Sequence, residues 1–179
     1  MLMTPVQPLV PIKAGRPFFG MVNTFMASAV GLAPFFDPIH PQKLNQTSGA
    51  VFYGFYNPMS VQDMLQSINQ TLGRGMSAAE ALNTLCCMLI ISAFKVVKAH
   101  VNNTPDFQAF YHLRGAASHG NKFTFRSEEP KVPAAWRTFR IDETKKGNTN
   151  PIHGKQCFGT LFGPADLLLL LSDIDKKLP

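Results

Sequence analysis

The sequence places an arginine and a histidine close together on one predicted helix. The buried stripe of this helix is predicted from Phe107, Phe110 and Tyr111, which recur at helical spacing. Arg114 is the next position on that stripe, and His119 follows in the last predicted turn. Because burying an isolated cation is costly, Arg114 is expected to meet a carboxylate, a phosphate, a partner subunit or a wet cleft.

The two side chains together are suited to phosphodiester chemistry. The carbonyl end of a helix favours a protonated imidazole, so His119 can exchange protons near neutral pH. Arg114 can hold the negative charge that develops on the non-bridging phosphate oxygens. Neither a metal nor another cofactor is needed for this reaction. The spacing leaves an alternative open, in which Arg114 bonds a buried acid such as Glu80 and His119 simply caps its helix.

The segment around these residues resembles a known signature. Residues 111–123 read Tyr-His-Leu-Arg-Gly-Ala-Ala-Ser-His-Gly-Asn-Lys-Phe and resemble the Arg-x4-His motif of the HEPN superfamily, including the glycine that often follows. The layout is also similar, because the motif lies at the end of the penultimate long helix of a predicted bundle. This similarity in layout covers about residues 60–178.

The resemblance implies an activity and an assembly. It implies a metal-independent endoribonuclease of the toxin or defence type, in which the 2′-hydroxyl attacks the adjacent phosphate. It also implies a homodimer that brings two Arg/His pairs into one cleft. Arg114 and His119 carry over as the catalytic pair, and Ser118, Asn121 and Tyr111 are expected to support it.

One position departs from the pattern of active members. Gly115 follows the arginine directly, where active members often have a polar residue such as asparagine. Many HEPN-like domains are non-catalytic, so the resemblance also implies an alternative function. In that alternative the chain is a module that dimerises, or that binds RNA or a protein partner such as a nucleotidyltransferase-type antitoxin. A structural protein without a nucleic-acid role is a third possibility.

Positive charge is concentrated after the motif. The net charge is +6, and residues 122–155 contain eight Lys/Arg against four acids, which is +4 of that total. A local basic excess attracts phosphates, although a solvated loop has the same composition. We expect RNA contacts from Lys122, Arg126, Arg137 and Arg140.

Composition and cysteine usage indicate a cytoplasmic protein without a membrane span or metal site. The 179 residues fit one domain, with 45% hydrophobic and 16% charged residues. The three cysteines lack the spacing of a disulfide framework or a zinc site, so we expect them to be reduced. The apolar run 18–36 contains polar residues and a proline, and its apolar positions follow helical spacing, as in a core helix.

The predicted fold is mainly α, a HEPN-like helical bundle of about four to five helices in a single domain. Residues 1–17 are expected to form an extended arm, residues 37–58 a loop, and residues 122–162 a basic insertion that is irregular or two-stranded. Helices are predicted at about 18–33, 60–72, 77–101 and 104–119, and from residue 163 to the end. Ser77 with Glu80 predicts a capping box, and Gly120 predicts a left-handed helix end.

Overall fold

The computed structural model describes residues 12–32, 51–53, 58–60 and 77–179, the two short segments by their backbone alone. The described part is mainly α, as predicted. It contains four α-helices, which we name α1 (Phe19–Leu32), α2 (Ala78–Val97), α3 (Pro105–Ser118) and α4 (Pro164–Asp175). The predicted helix at 60–72 falls almost entirely outside these residues, and its expected N-cap, Ser60, lies in a strand.

Helix α2 begins where its capping residues predict. The Ser77 hydroxyl accepts a hydrogen bond from the Glu80 amide at 3.2 Å, and the Glu80 carboxylate accepts one from the Ser77 amide at 2.8 Å. The helix ends at Val97 and continues as a 3-10 turn, Lys98–His100, slightly earlier than predicted. Its buried side chains contact α1, α3 and α4, so α2 is the central helix of the core.

The same helix is long and apolar enough to cross a membrane. The stretch Ala79–His100 has the length and hydropathy of a membrane span. One face of it is buried in the core, including Cys86, Ile90, Ala93 and Val97, which are fully buried. A central helix of a globular protein has the same properties, since it is apolar on nearly all sides.

Helix α3 carries the motif and ends as its sequence predicts. Pro105 occupies the first turn, after Thr104 in an extended conformation. At the other end Gly120 has a φ of +68°, which confirms the predicted left-handed residue, and Asn121 follows with a φ of +63°. The Lys122 amide then donates to the carbonyl of Ala116 at 3.1 Å, which satisfies a carbonyl of the last turn.

The insertion contributes to the core as well as to the surface. Two antiparallel strands, β3 (Ala134–Trp136) and β4 (Phe139–Ile141), form the predicted two-stranded excursion. Trp136 and Ile141 are buried in the core, and the Phe139 ring lies 6.0 Å from that of Phe123. The Trp136 indole donates to the carboxylate of Asp173 at 3.1 Å, so the hairpin is also tied to α4.

Helix α4 closes the core and is anchored at its end by Arg16. Its predicted apolar stripe is buried at Leu167, Leu170, Leu171 and Ile174, and Leu178, which follows the end of the helix, is also buried. The Arg16 Nε donates to the Asp175 carboxylate at 2.8 Å, and the Arg16 guanidinium also donates to the carbonyls of Asp175, Leu178 and Pro179. A cation at a helix C-terminus satisfies carbonyls that the helix leaves free.

Two predictions about the first 60 residues differ from the structure. Residues 14–17, expected in the extended arm, form turns, because Gly15 adopts a φ of +84° and the Arg16 amide bonds back to Lys13. Part of the expected loop at 37–58 is β1 (Val51–Tyr53), which pairs antiparallel with β2 (Pro58–Ser60). Both strands are three residues long, too short for their alternation to be recognised from sequence.

Candidate functional site

Arg114 is half-buried on α3 and has no acidic partner among the described residues. Its guanidinium carbon lies 4.9 Å from the centroid of the Phe94 ring, in cation–π contact. Its Nε is buried and makes no hydrogen bond. The fully buried position on this turn is taken by Leu113 instead. Arg114 therefore stands at the edge of the buried face, held against an aromatic ring without a neutralising charge in the described part of the chain.

The alternative pairing with Glu80 is not formed. Glu80 is exposed, and its carboxylate accepts hydrogen bonds from the amide and hydroxyl of Ser77. These bonds lower the pKa of Glu80, which keeps it ionised as a capping residue. The carboxylate proposed as a buried partner thus has another role at the start of α2.

His119 lies at the C-cap of α3 with its side chain exposed. Its backbone leaves the helical conformation, with a φ of −110° and a ψ of 44°. Its amide still donates to the carbonyls of Gly115 and Ala116, at 3.2 and 3.1 Å. The imidazole therefore stands at the end of the helix where a ligand in solvent can reach it.

Two of the expected supporting residues, Tyr111 and Ser118, share the exposed side of α3 with Arg114. Tyr111 is 37% exposed, so its predicted place on the buried stripe is wrong. Its ring lies 6.0 Å from that of Phe94, the ring that also contacts Arg114. The Ser118 hydroxyl donates to the carbonyl of Arg114 at 3.1 Å, a bond within the helix. Tyr111 and Arg114 thus flank one aromatic ring, while Ser118 bonds the backbone.

Asn121, the third supporting residue, holds the backbone of the insertion. Its side-chain oxygen accepts from the Phe158 amide at 2.8 Å, and its side-chain nitrogen donates to the Phe158 carbonyl at 2.9 Å. Its own carbonyl accepts from the Cys157 amide at 2.8 Å. Both ends of the Asn121 amide are therefore used to fix residues 157 and 158 beside the end of α3.

A cleft of about 390 Å³ borders the end of α3 and the first half of α2, and Glu80 is among its lining residues. Residues on either side of His119 contribute to its wall, namely Ala117, Gly120 and Asn121. The opposite wall includes Asn83 and Thr84 of α2. Amide and hydroxyl groups of this kind offer hydrogen bonds to a polar ligand.

His112 lies two residues before Arg114 and is not among the predicted site residues. It is 7% exposed, and its ring packs edge-on against Phe125 at 5.4 Å and against Tyr111 at 5.2 Å. Burial lowers the pKa of His112 to about 4, and the nearby Glu129 carboxylate opposes this effect more weakly. The sequence contained an indication that His112 is buried, because Ala109 and Ala116 are at helical spacing from it and lie on the same buried face of the helix.

The four predicted RNA-binding side chains, Lys122, Arg126, Arg137 and Arg140, are all exposed. Arg137 also has partners within the chain. Its guanidinium lies 4.6 Å from the Trp136 ring centroid and 3.5 Å from the Asp173 carboxylate. The structure thus presents all four cations to solvent while fixing Arg137 against the β3–β4 hairpin.

The three cysteines are free. Burial raises the pKa of Cys86 to about 12 and also raises the pKa of Cys157, so both stay protonated as small apolar side chains. Within the described ranges, no three His, Cys, Asp or Glu side chains are grouped so that they could hold a metal ion.

Comparison with known proteins gave no relative from which function could be transferred. No protein-family model, no curated protein and no solved structure matches this chain.

Proposed function

We propose that this protein is a HEPN-like, metal-independent endoribonuclease of the toxin or defence type, acting in the cytoplasm. In this reaction the RNA 2′-hydroxyl attacks the adjacent phosphate, with His119 transferring the proton and Arg114 stabilising the charge on the phosphate oxygens. The helices α2, α3 and α4 would correspond to the bundle that positions the motif in this superfamily.

The state of Arg114 is the observation that carries the proposal. Its Nε is buried and unpaired, and no carboxylate among the described residues neutralises it. A cation held in this way is costly unless a ligand or a partner supplies negative charge. A phosphate is a suitable group, because the planar guanidinium can bond two of its oxygens at once.

The surroundings of His119 support the same function. Its exposed imidazole stands next to residues that line the cleft between α2 and α3. Lys122 and Arg126 follow directly in the chain and are exposed, so an RNA strand at this end of α3 would meet further positive charge. Positioning, proton transfer and charge stabilisation would then be supplied by side chains of one helix end.

We expect ribonuclease activity to survive excess EDTA and to leave 2′,3′-cyclic phosphate ends. The proton transfer and charge stabilisation that metals supply in other nucleases are assigned to His119 and Arg114. A single-stranded RNA substrate with the end groups of its products identified by mass spectrometry provides the measurement. Activity that disappears with EDTA and returns with a divalent cation would contradict the proposal.

The proposed enzyme is a homodimer through the face of α3 that bears Arg114. Multi-angle light scattering at micromolar concentration is expected to give twice the 19.7 kDa of one chain. Tyr111→Arg should shift the protein towards monomer, because a symmetric interface places the two new charges near each other. Thr138→Arg, at an exposed position of the hairpin turn, is the control for added charge. If the wild-type protein is a monomer, the proposed cleft formed by the Arg/His pairs of two chains is excluded.

A non-catalytic HEPN-like module is the second candidate, and the surface at Gly115 favours it. No atom lies within 4 Å of the position that a Cβ would take at Gly115. This half-buried glycine and the exposed Tyr111 and Ser118 leave one side of α3 open to close packing by another helix. Such a module would dimerise or bind RNA or an antitoxin-like protein, and it would not cleave RNA under any condition.

A further inference from the structure

A second cleft lies in the basic insertion, apart from the end of α3. It has a volume of about 530 Å³, within the usual range of ligand sites. One wall contains Phe125 and Ser127, and the other contains the segment 146–149 together with His153. We call it the Ser127/Lys146 cleft. None of the residues that line it is acidic.

The loops that carry the two walls of the Ser127/Lys146 cleft are joined by a backbone hydrogen bond. The Gly147 amide donates to the Glu129 carbonyl at 2.8 Å. Gly147 has a φ of +53°, and a Cβ at this position would lie 3.2 Å from the Cα of Ser127. Only glycine adopts this conformation readily at so close a contact. The sequence therefore holds the two loops at a fixed separation.

The side chains that line the cleft are mainly hydrogen-bond donors. The Lys146 ammonium bonds the Pro130 carbonyl and keeps further N–H groups free for a ligand. The Nδ1 of His153 accepts from the Phe125 amide at 3.3 Å, which places the hydrogen of a neutral ring on Nε2. Ser127 and Asn148 are exposed and add a hydroxyl and an amide. An ammonium, an imidazole N–H, a hydroxyl and an amide suit an oxyanion.

We propose that the Ser127/Lys146 cleft binds a phosphate group. The two acids that follow Ser127 in the chain, Glu128 and Glu129, do not line the cleft. The Glu128 carboxylate lies 3.7 Å from the Lys131 ammonium, and the Glu129 carboxylate accepts from the Arg126 amide at 3.2 Å. The phosphate comes either from an RNA strand or from a free phosphate. In the first case the cleft holds RNA at a point separate from Arg114 and His119. Phosphate binding here does not depend on whether the protein cleaves RNA.

The first arm of the test measures inorganic phosphate by isothermal titration calorimetry. Wild-type protein should bind it saturably. Ser127→Asp should weaken binding by about tenfold or more, because it places a negative charge in the cleft and removes a donor to a charged group. Thr138→Asp makes the same change in net charge at an exposed position outside the cleft and should weaken binding by less than about twofold. Asn148→Asp repeats the test from the opposite wall, with thermal melting to establish that each variant is folded.

The second arm distinguishes the sources of the phosphate and uses the His119→Ala background, so that RNA stays intact. Fluorescence anisotropy compares one short single-stranded RNA with a 5′-phosphate and with a 5′-hydroxyl. Tighter binding of the 5′-phosphorylated strand, lost in Ser127→Asp, assigns the cleft to a terminal phosphate. Equal binding of both strands, weakened only by Ser127→Asp, assigns it to the RNA backbone. RNA binding that Ser127→Asp leaves unchanged, or binding of neither strand, by a protein that passes the first arm assigns the cleft to free phosphate.

The proposal is overturned by either of two results. One is that wild-type protein binds no inorganic phosphate. The other is that Ser127→Asp and Thr138→Asp weaken binding equally, because the effect would then come from net charge alone and not from the cleft.

Discussion

His119→Ala is expected to lower RNA cleavage by about 10²-fold or more while leaving RNA affinity and folding nearly unchanged. A general acid or base acts on the transition state more than on the bound substrate. The side chain is exposed, and its removal leaves the two capping bonds of the His119 amide in place. Single-turnover cleavage, RNA binding by anisotropy and thermal melting provide the measurements. His100→Ala, at an exposed histidine of the 3-10 turn after α2, is the matched control.

Arg114→Ala is the companion variant and is expected to reduce both cleavage and RNA affinity. Its stability should fall by only about 1 kcal/mol, the typical value of a cation–π contact, since no described carboxylate is left unpaired. Arg114→Lys keeps the charge but loses the planar guanidinium that can bond two phosphate oxygens at once. Compared with Arg114→Ala, it should therefore recover more of the RNA affinity than of the cleavage activity. A wild-type protein that cleaves none of a varied set of RNAs would move the assignment to the non-catalytic module.

Stability is expected to fall between about pH 6.5 and pH 4 because His112 is buried in its neutral form. Its pKa is about 4 in the folded chain and near 6.5 when unfolded, so the unfolded chain binds the proton first. The stabilising contribution is complete above pH 6.5 and is lost as the pH falls towards 4. At about 1.4 kcal/mol per pH unit, the full effect is about 3 kcal/mol. Urea unfolding at several pH values measures it.

The control for this prediction removes the titrating ring. His112→Gln should be less stable than wild type at pH 7 but should lose less stability on going to pH 4. The comparison between the two proteins also cancels carboxylates such as Asp106 and Asp173, whose pKa values are lowered from 3.8 and which therefore titrate below this range. His100→Gln removes an exposed imidazole and should retain the wild-type dependence. Parallel curves for wild type and His112→Gln would show that His112 does not contribute.

The features that could be predicted from sequence are those fixed by neighbouring residues. The Ser77 and Glu80 capping box is made within one turn, and the left-handed Gly120 follows from the absence of a side chain. The buried stripe of α4 was also predicted, because leucines at helical spacing have one way to reach a core.

The details of the candidate site depend on packing that the pattern does not contain. Of the three aromatic residues that predicted the buried face of α3, Phe107 and Phe110 are buried. The face also includes Ala109, Leu113 and Ala116, and this places Tyr111 outside and His112 inside. The role of Asn121 depends on Phe158, which is 37 positions away. A contact at that separation leaves no trace in local spacing. The sequence likewise allowed Arg114 to pair with Glu80, and only the structure shows that the Glu80 carboxylate bonds Ser77 instead.

The bond between Arg16 and Asp175 has a consequence for the order of folding. The two residues are 159 positions apart, so their pairing closes a loop that contains almost the whole chain. Closing so long a loop is entropically costly before the intervening helices have packed. We therefore expect this contact to form late in folding, and an interaction made after the transition state slows unfolding and leaves the folding rate nearly unaffected. On this expectation, Arg16 slows unfolding of the native protein and so prolongs the lifetime of the native state.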